Sequence, residues 1–480
     1  MQELKAGLSE RNMKARRQAR RADPAWHGLA SIVGLLRSRD ACTRHDIELH
    51  AGLGRAAVAE RLTTLLDLGL IEEGGLGPTS GGRAPRLLRF RREAGLVLVA
   101  VFGQSTLGVG VADLSGRLLF EHHEATERDL EPAEIERRLT TLFDWALEQL
   151  KCGSEDVWSI AIAVPGPVEE APGSAFGAPG LTNVPAWKNH PFVERLMVRY
   201  RASVCLRSRI QMTALGEFRA GGNKGAKDLL VIDIGREIKA GVISNGQPHA
   251  GAQGAAGMIG HIATAEKSSA VCTCGNTGCL EAQAGAGAIA AEGLRAAREA
   301  GSDDLALALE ENGRVTATDV LIAAQHGDSF SADLLARCGR LMGGAIAGLV
   351  NTLNPSLVVL TGTIAQSGDI LLASVRETVY RHSHPLVTRD LQITRSELGR
   401  SASLVGAALV AADELFEIDV LRGWIAAGSP LAHPDLEKAL ARAERLLEAT
   451  GAGHPALGTE PKTAANADGQ SRLQPGKTLG

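Results

Sequence analysis

Three of the seven cysteines in this 480-residue chain lie within eight residues, in the stretch "CTCGNTGC" from Cys272 to Cys279. A histidine, His261, stands eleven residues ahead of the first. Three thiolates and one imidazole are the donor set of a closed tetrahedral zinc site. With His261, Cys272, Cys274 and Cys279 filling all four positions, none is left for water or substrate, so such a zinc ion is structural. Gly275 and Gly278 let the backbone fold back where a β-carbon would resist. The spacing admits a second reading as well: three buried or redox-active thiols beside an unrelated histidine. The odd cysteine count, with no export-signal pattern behind the basic N-terminus, points to a reducing, cytoplasmic setting. In that setting clustered cysteines serve metals or catalysis more often than disulfides.

The elements that must position this loop read as an α/β body. From Gly95, "GLVLVAVFGQSTLGVGVADLSGRLLFEHH" gives adjacent strands, "EPAEIERRLTTLFDWALEQL" a helix and "VWSIAIAVPGPV" a further strand. "DLLVIDIG" and "AGVISNG" are strands, and "NPSLVVLTG" is a buried strand behind the long helix "SADLLARCGRLMGGAIAGLVNTL". Strands alternating with helices indicate an α/β architecture. Beyond it, a helical extension over 417–449 contains "DLEKALARAERLLEA", expected to pack on the body or on a partner. Residues 450–480, rich in glycine, alanine and polar residues, are expected to be disordered.

The net charge of −4 is unevenly spread: residues 1–92 carry about +7 and the rest about −11. A basic head on an acidic body suggests a nucleic-acid module joined to something else. Aromatic residues make up only 3% of the chain, which argues against base-stacking platforms. No apolar run approaches the roughly 18–20 residues that span a bilayer, so a membrane role is not expected.

Behind a basic, flexible tail over 1–23, the head at 24–92 has a readable order. "AWHGLASIVGLLRS" is an apolar helix. In "TRHDIELHAG", Thr43 and Asp46 have the spacing of a capping box and Gly52 a stop. "GRAAVAERLTTLLDLGLIEEGG" sets Val58, Leu62, Leu65 and Leu66 on one face and Arg55, Ala56, Ala59 and Glu60 on the other. Two strands around a glycine-rich turn follow, the second with Arg83, Arg86, Arg89, Arg91 and Arg92. Three helices and a basic hairpin are the layout of a winged helix-turn-helix, whose third helix enters the major groove while the wing tracks phosphates. The candidate DNA contacts are therefore Arg55, Ala56, Ala59, Glu60, Arg83 and Arg86. Arg55 suits a guanine edge, and the small alanines imply that phosphate contacts carry most of the affinity. The plainer alternative is a small helical bundle with a solvated arginine edge.

The run "CTCGNTGCLE" resembles C-x-C-G-x-x-G-C-x-E, the cysteine signature of the ROK family of repressors and sugar kinases. "GMIGHI" stands upstream where that family has G-E-I-G-H, and "TALGEFRAGG", "NPSLVVLTGTIAQSGDILLASVRETV" and "SASLVGAALVAADELF" resemble further family segments. The resemblance covers roughly 94–416. It implies a domain over 93–416 with a two-lobed, actin-like fold of the sugar kinase and ribonuclease H kind, a ligand cleft between lobes, and zinc ligands His261, Cys272, Cys274 and Cys279. With the head attached, the chain resembles the repressor branch, which implies a double-stranded DNA operator, carbohydrate-linked control and a homodimer or homotetramer.

The departures from the family are as informative. Kinases open the domain with D-x-G-G-T; here "VFGQS" has Val101 for the aspartate, Gln104 for a glycine and Ser105 for the threonine. The second phosphate loop, G-T-G-x-G, appears as "GREIK" over 235–239, whose bulky side chains block backbone approach to phosphate. Where kinases have E-N-D-A-N with its aspartate base, this chain has "RSRIQ", with Arg209 in place of the base. A guanidinium stays protonated and cannot take a hydroxyl proton. The family's sugar-holding positions map to Ser208, Arg209, Met258, His261 and Glu281, of which only the last two match. The expected ligand-contacting set is thus Glu281, His261, Arg209 and Ser208. Arg207 and Arg209 suggest an anionic effector, a sugar phosphate or sugar acid, unless they form ion pairs in a cleft that binds nothing.

These observations lead to a non-catalytic, DNA-binding transcriptional regulator, with a sugar-derived ligand altering lobe arrangement and, through a linker near Arg92–Gly95, the spacing of two heads. A regulator gated by a protein partner is the alternative, and a sugar kinase the least favoured.

Overall fold

The computed structural model describes residues 24–77, 84–103, 106–126, 131–168, 190–222, 225–264, 268–366 and 368–450. The tail at 1–23, Arg83, Gln104, Ser105 and the stretch 451–480 lie outside the described residues.

In the head, Thr43 caps a short helix by accepting from the Asp46 backbone N–H, and the Asp46 carboxylate accepts from the Thr43 N–H at 2.9 Å. The capping box read from sequence therefore exists, and Gly52 closes the helix at φ +61°. The head runs α1 (Pro24–Ser38), β1 (Cys42–Thr43), α2 (Arg44–Ala51), α3 (Arg55–Asp67), β2 (Ile71–Leu76) and β3 (Arg86–Phe90). Its sheet has the order β1-β3-β2, so a two-residue strand that no periodicity betrays joins the wing. Val58, Leu62 and Leu65 of α3 are buried with Ile32, Leu36 and Ile47. This is a winged helix-turn-helix.

The body has two lobes with the same strand order. In the first, β4 (Leu96–Phe102), β5 (Thr106–Asp113), β6 (Leu118–Ala125), β7 (Val157–Val164) and β8 (Ser203–Ser208) form the sheet β6-β5-β4-β7-β8, with α4 (Pro132–Leu150) and α5 (Phe192–Tyr200). Helix α6 (Arg209–Ala220) crosses to the second lobe. There β9 (Leu229–Ile234), β10 (Ile238–Ser244), β11 (Gln247–Pro248), β12 (Leu357–Thr361) and β13 (Gln392–Arg395) form β11-β10-β9-β12-β13. In each lobe three antiparallel strands are followed by two parallel ones, as in the actin-like fold. Strands β4, β7, β9 and β12 are buried throughout or nearly so, which is why they read as continuous apolar runs rather than alternations. Helices α7 (Leu280–Ala284), α8 (Ala286–Arg298), α9 (Asp303–Asn312), α10 (Ala317–His326), α11 (Ser329–Leu353), α12 (Thr363–Gln366), α13 (Asp369–His382) and α14 (Pro385–Thr388) complete the second lobe.

The chain then returns through α15 (Ala402–Leu415) to α16 (Ile418–Ile425) and α17 (Pro434–Ala449). Helix α15 packs on the first-lobe sheet, α6 on the second, and the two helices pack on each other. Their backbones touch: a β-carbon on Gly216 would lie 2.1 Å from the Ala402 carbonyl oxygen, and one on Gly406 would lie 1.8 Å from that of Met212. The extension packs on the protein itself, α16 against α1 of the head and α17 against α5. Trp424 of α16 is 1% exposed and its Nε1 donates to the Leu415 oxygen at 2.9 Å.

The segment expected to be a linker is not one. Arg92–Ala94 form a 3-10 turn, and the Arg92 carbonyl accepts from the Leu114 N–H at 3.0 Å. Gly95 lies against Trp158 so closely that a β-carbon would sit 2.4 Å from the indole. Phe90 of the wing meets Phe416 edge-on at 5.7 Å, and one apolar cluster runs unbroken from Leu29 in the head to Leu440 in the extension. Among the described residues no helix is long and apolar enough to cross a membrane.

Candidate metal centre, interlobe cleft and nucleic-acid face

His261 ends a 3-10 turn, Ile259–His261, behind β10, and Cys279 is the cap residue of α7. Between them the loop doubles back through the bridges Ala263↔Cys279 and Val271↔Thr277. Gly275 and Gly278 take φ of +90° and +78°, the left-handed conformations that the sequence placed there. As a result the ligand atoms of His261, Cys272, Cys274 and Cys279 all lie within 4.8 Å of one another. Cys274 Sγ and Cys279 Sγ are 3.7 Å apart, and Cys272 Sγ is 3.5 Å from His261 Nδ1. A tetrahedron with metal–sulfur bonds of ~2.3 Å and metal–nitrogen bonds of ~2.05 Å has edges of roughly 3.8 and 3.6 Å. The donor set therefore fits a metal ion, and the sulfurs are too far apart for a disulfide at ~2.05 Å.

The electrostatics agree. Burial and the neighbouring sulfurs push the Cys279 thiol up, whereas the backbone N–H of Asn276 holds that of Cys274 down. Several thiolates crowded together need a cation. Sequence reasoning missed Gln283, four residues past Cys279 on α7. Its Nε2 donates to the Gly278 oxygen at 3.0 Å and to Thr264 Oγ1 at 2.7 Å, tying the loop to its own base. The proximity of Gln283 to the cysteine signature was its only signal.

Among the described residues, several charged side chains at the interlobe cleft are paired within the protein itself. Arg209, at the start of α6, pairs with Asp233 near the end of β9, a carboxylate 1% exposed. Arg207 pairs with Glu414 of α15. Both arginines are thus engaged with carboxylates rather than presented to an anion. Lys239, where kinases have the last glycine of a phosphate loop, crosses from the second lobe and donates to the Pro165 oxygen of the first at 2.5 Å. Glu281 is bonded internally: its Oε2 accepts from the Ile238 N–H at 2.6 Å, and burial raises its carboxyl. A cavity of about 10 Å³ is lined by Gly166, Pro167, Ser208, Lys239, Ala255 and Met258, with room for roughly one water molecule. Of the four expected ligand residues only Ser208 borders it; Arg209, His261 and Glu281 do not.

The head presents the other site. Arg55, Ala56, Ala59 and Glu60 are all exposed on α3, opposite its buried face. The Arg55 side chain is 91% exposed, 3.7 Å from Glu48. Arg86 is paired with Glu73, which also bonds Arg44 at 3.3 Å, so part of the wing's positive charge is already balanced.

The ROK family description matches residues 101–414. A xylose repressor of Caldicellulosiruptor bescii is 26% identical over 374 residues, 78% of this chain and 92% of the relative. The DNA-binding transcriptional dual regulator NagC of Escherichia coli is 27% identical over 386 residues, 79% of this chain and 91% of its own. A glucokinase of Halalkalibacterium halodurans is 29% identical over 304 residues, 63% of this chain and 91% of its own. Among solved structures, a ROK family transcriptional regulator homologous to the E. coli Mlc protein superposes with a TM-score of 0.69 at 24% identity, covering 84% of this chain and all of the other. A ROK glucokinase from Streptomyces griseus reaches 0.55 at 24% identity, over 66% of this chain and 99% of the other. The regulators thus align over more of the chain than the kinases do. With the family match spanning both lobes and the cysteine loop of the second, this chain belongs to the ROK family.

Proposed function

We propose that the protein is a DNA-binding transcriptional regulator, a repressor by its relatives, that has lost kinase chemistry. The observation that carries this reading is a winged helix-turn-helix fused to a kinase-like body in which Arg209, bonded to Asp233, stands at the position of the base. That guanidinium has no lone pair to accept a sugar hydroxyl's proton. The repressor relatives support the same reading, since their alignments extend beyond the kinase-like portion.

A zinc ion suits the His261, Cys272, Cys274 and Cys279 donors and would supply a fixed cross-link with no open position. The residues themselves hold the loop against α7, so the ion's role is to keep the second lobe's rim in one shape. Two heads on a palindromic operator call for a two-fold oligomer, at least a homodimer, in the cytoplasm. Arg55 and Glu60 are the base-facing candidates, with Ala56 and Ala59 between them, and the wing arginines, Arg86 and Arg83 among them, are the phosphate-facing ones.

The test is a salt titration of binding to DNA selected from a random duplex library, against unselected duplex of equal length. Selective binding with a steep loss of affinity at rising salt is expected; equal binding to both duplexes overturns the reading. A regulator gated by something other than a cleft ligand is favoured by one observation: among the described residues, Lys239 bridges the two lobes beside a cavity of only about 10 Å³. Thermal stabilisation across a panel of sugars, sugar phosphates and sugar acids separates the two versions. A stabilising member supports control by a sugar-derived ligand, and a flat panel supports the partner-gated regulator.

A further inference from the structure

One carboxylate joins three parts of this molecule. Asp413 lies near the end of α15, the helix seated on the first-lobe sheet. Its Oδ1 accepts from Arg37 Nη1 at 2.9 Å, and Arg37 belongs to the last turn of α1 in the head. Its Oδ2 accepts from Arg219 Nη1 at 2.9 Å, and Arg219 belongs to the last turn of α6, the helix seated on the second-lobe sheet.

The two arginines differ in freedom. Arg37 is enclosed: its side chain is 10% exposed, its Nε donates to the Leu114 oxygen at 3.1 Å, and its guanidinium lies 4.8 Å over the Phe416 ring. Arg219 is 40% exposed, on a helix that must move with the second lobe. Gly216 and Gly406 bring the backbones of α6 and α15 into direct contact, and beside them the Thr213 and Ser403 hydroxyls bond each other at 2.7 Å, so the lobes are joined at one close seam about which a pivot is centred. At the far end of α6, Arg209 is fixed to Asp233 of the second-lobe sheet. A pivot of the second lobe therefore carries Arg219 along with it.

We infer that Asp413 is the coupling residue between lobe arrangement and the head: it keeps Arg37 as a fixed partner and gains or loses Arg219 as the second lobe pivots. The electrostatic sense follows from charge alone. With both arginines present, one carboxylate is shared between two cations that repel each other. When Arg219 withdraws, the whole of that charge acts on Arg37, and the seam between α1 and the body tightens. Opening the lobes therefore stiffens the head's attachment, and closing them loosens it. This rests on the regulator reading above for its purpose, although the coupling itself can be read without DNA.

The test is hydrogen exchange on the full chain, with peptides covering 24–38 reporting the head seam and peptides covering 229–244 reporting the second lobe. Lys239→Ala removes the bridge to Pro165 and frees the lobes; Lys239→Met is a second perturbation with the same aim. Each is placed alone and together with Asp413→Asn, a change at a side chain 39% exposed and so tolerated by the fold. In the parent chain, exchange at 24–38 is expected to slow by about fivefold when the lobes are freed. With Asp413→Asn that response disappears while the change at 229–244 persists. Arg219→Met alone is expected to slow exchange at 24–38 as lobe opening does. The inference is overturned if 24–38 responds equally with and without Asp413, or stays unchanged while 229–244 responds. A failure of DNA binding would leave this readout intact, so the two proposals fail separately.

Discussion

At the scale of residues, the metal centre and the buried carboxyls make separable predictions. Gln283 is 7% exposed and bonds the loop that carries Cys279, so Gln283→Ala is expected to weaken binding of the zinc ion proposed for this site by about tenfold, as loss of an outer-shell partner does. Competition against a zinc-responsive dye measures it, and unchanged affinity would remove Gln283 from the site. Cys279→Ser, at a thiol 2% exposed, should lower the melting temperature more than Cys274→Ser at the exposed one. Glu217 tests the body in another way. Burial raises its carboxyl above 4.5, against an opposing hydrogen bond from Ser396 Oγ. A raised carboxyl favours the protonated form in the fold, so stability falls as pH rises from 4.5 through the folded value, and the ionised group is a cost at neutral pH. Glu217→Gln should therefore raise the melting temperature at neutral pH and leave it unchanged below that window. An equal shift at both pH values would mean that packing, not ionisation, sets the effect.

At the scale of elements, what the sequence revealed was local. The Thr43–Asp46 capping box, the buried face of α3, the glycine turns at Gly275 and Gly278 and the convergence of His261 with three cysteines, a group able to hold a metal ion, all depend on short spacings. The two-residue β1 was invisible because no periodicity can register in so short a strand. The docking of α16 on the head was invisible for another reason. Its contacts, like the neighbouring pair of Arg37 with Asp413 of α15, join residues hundreds of positions apart, and such pairs leave no pattern in a single sequence. The fate of Arg207 and Arg209 was legible only as two alternatives, because their acceptors, Glu414 and Asp233, come from other elements. The extension carries its own prediction. Trp424 is 1% exposed, 6.2 Å from Trp158 and 6.1 Å from Phe416, so Trp424→Ala should cost about 3–5 kcal/mol. Denaturant unfolding of the full chain measures it, and a loss below about 1 kcal/mol would mean that α16 is not part of the core.

At the scale of the whole molecule, the duplicated strand order places the metal loop on one lobe and the head on the other, with α6 and α15 as the pivot between them. On the proposed reading the kinase motifs are altered at several points at once: Val101, the 235–239 segment and Arg209. Arg209→Asp alone is therefore not expected to restore sugar phosphorylation. It would place a second carboxylate beside Asp233 and leave Lys239 across the cleft. An ATP-coupled assay over a sugar panel should give background rates for both the parent chain and the variant; turnover in either would return the chain to the kinases.

The unbroken apolar cluster from Leu29 to Leu440 bears on how such regulators can be recombined. A graft that cut at Gly95 and moved the head onto another body would strip Phe90 of Phe416, Arg37 of Asp413 and α1 of α16. The transplantable unit is therefore discontinuous in the chain: the head travels only with the first lobe and the C-terminal helices that close over it. Swapping specificities by exchange of the reading surface on α3 asks far less of the fold than exchanging the head whole.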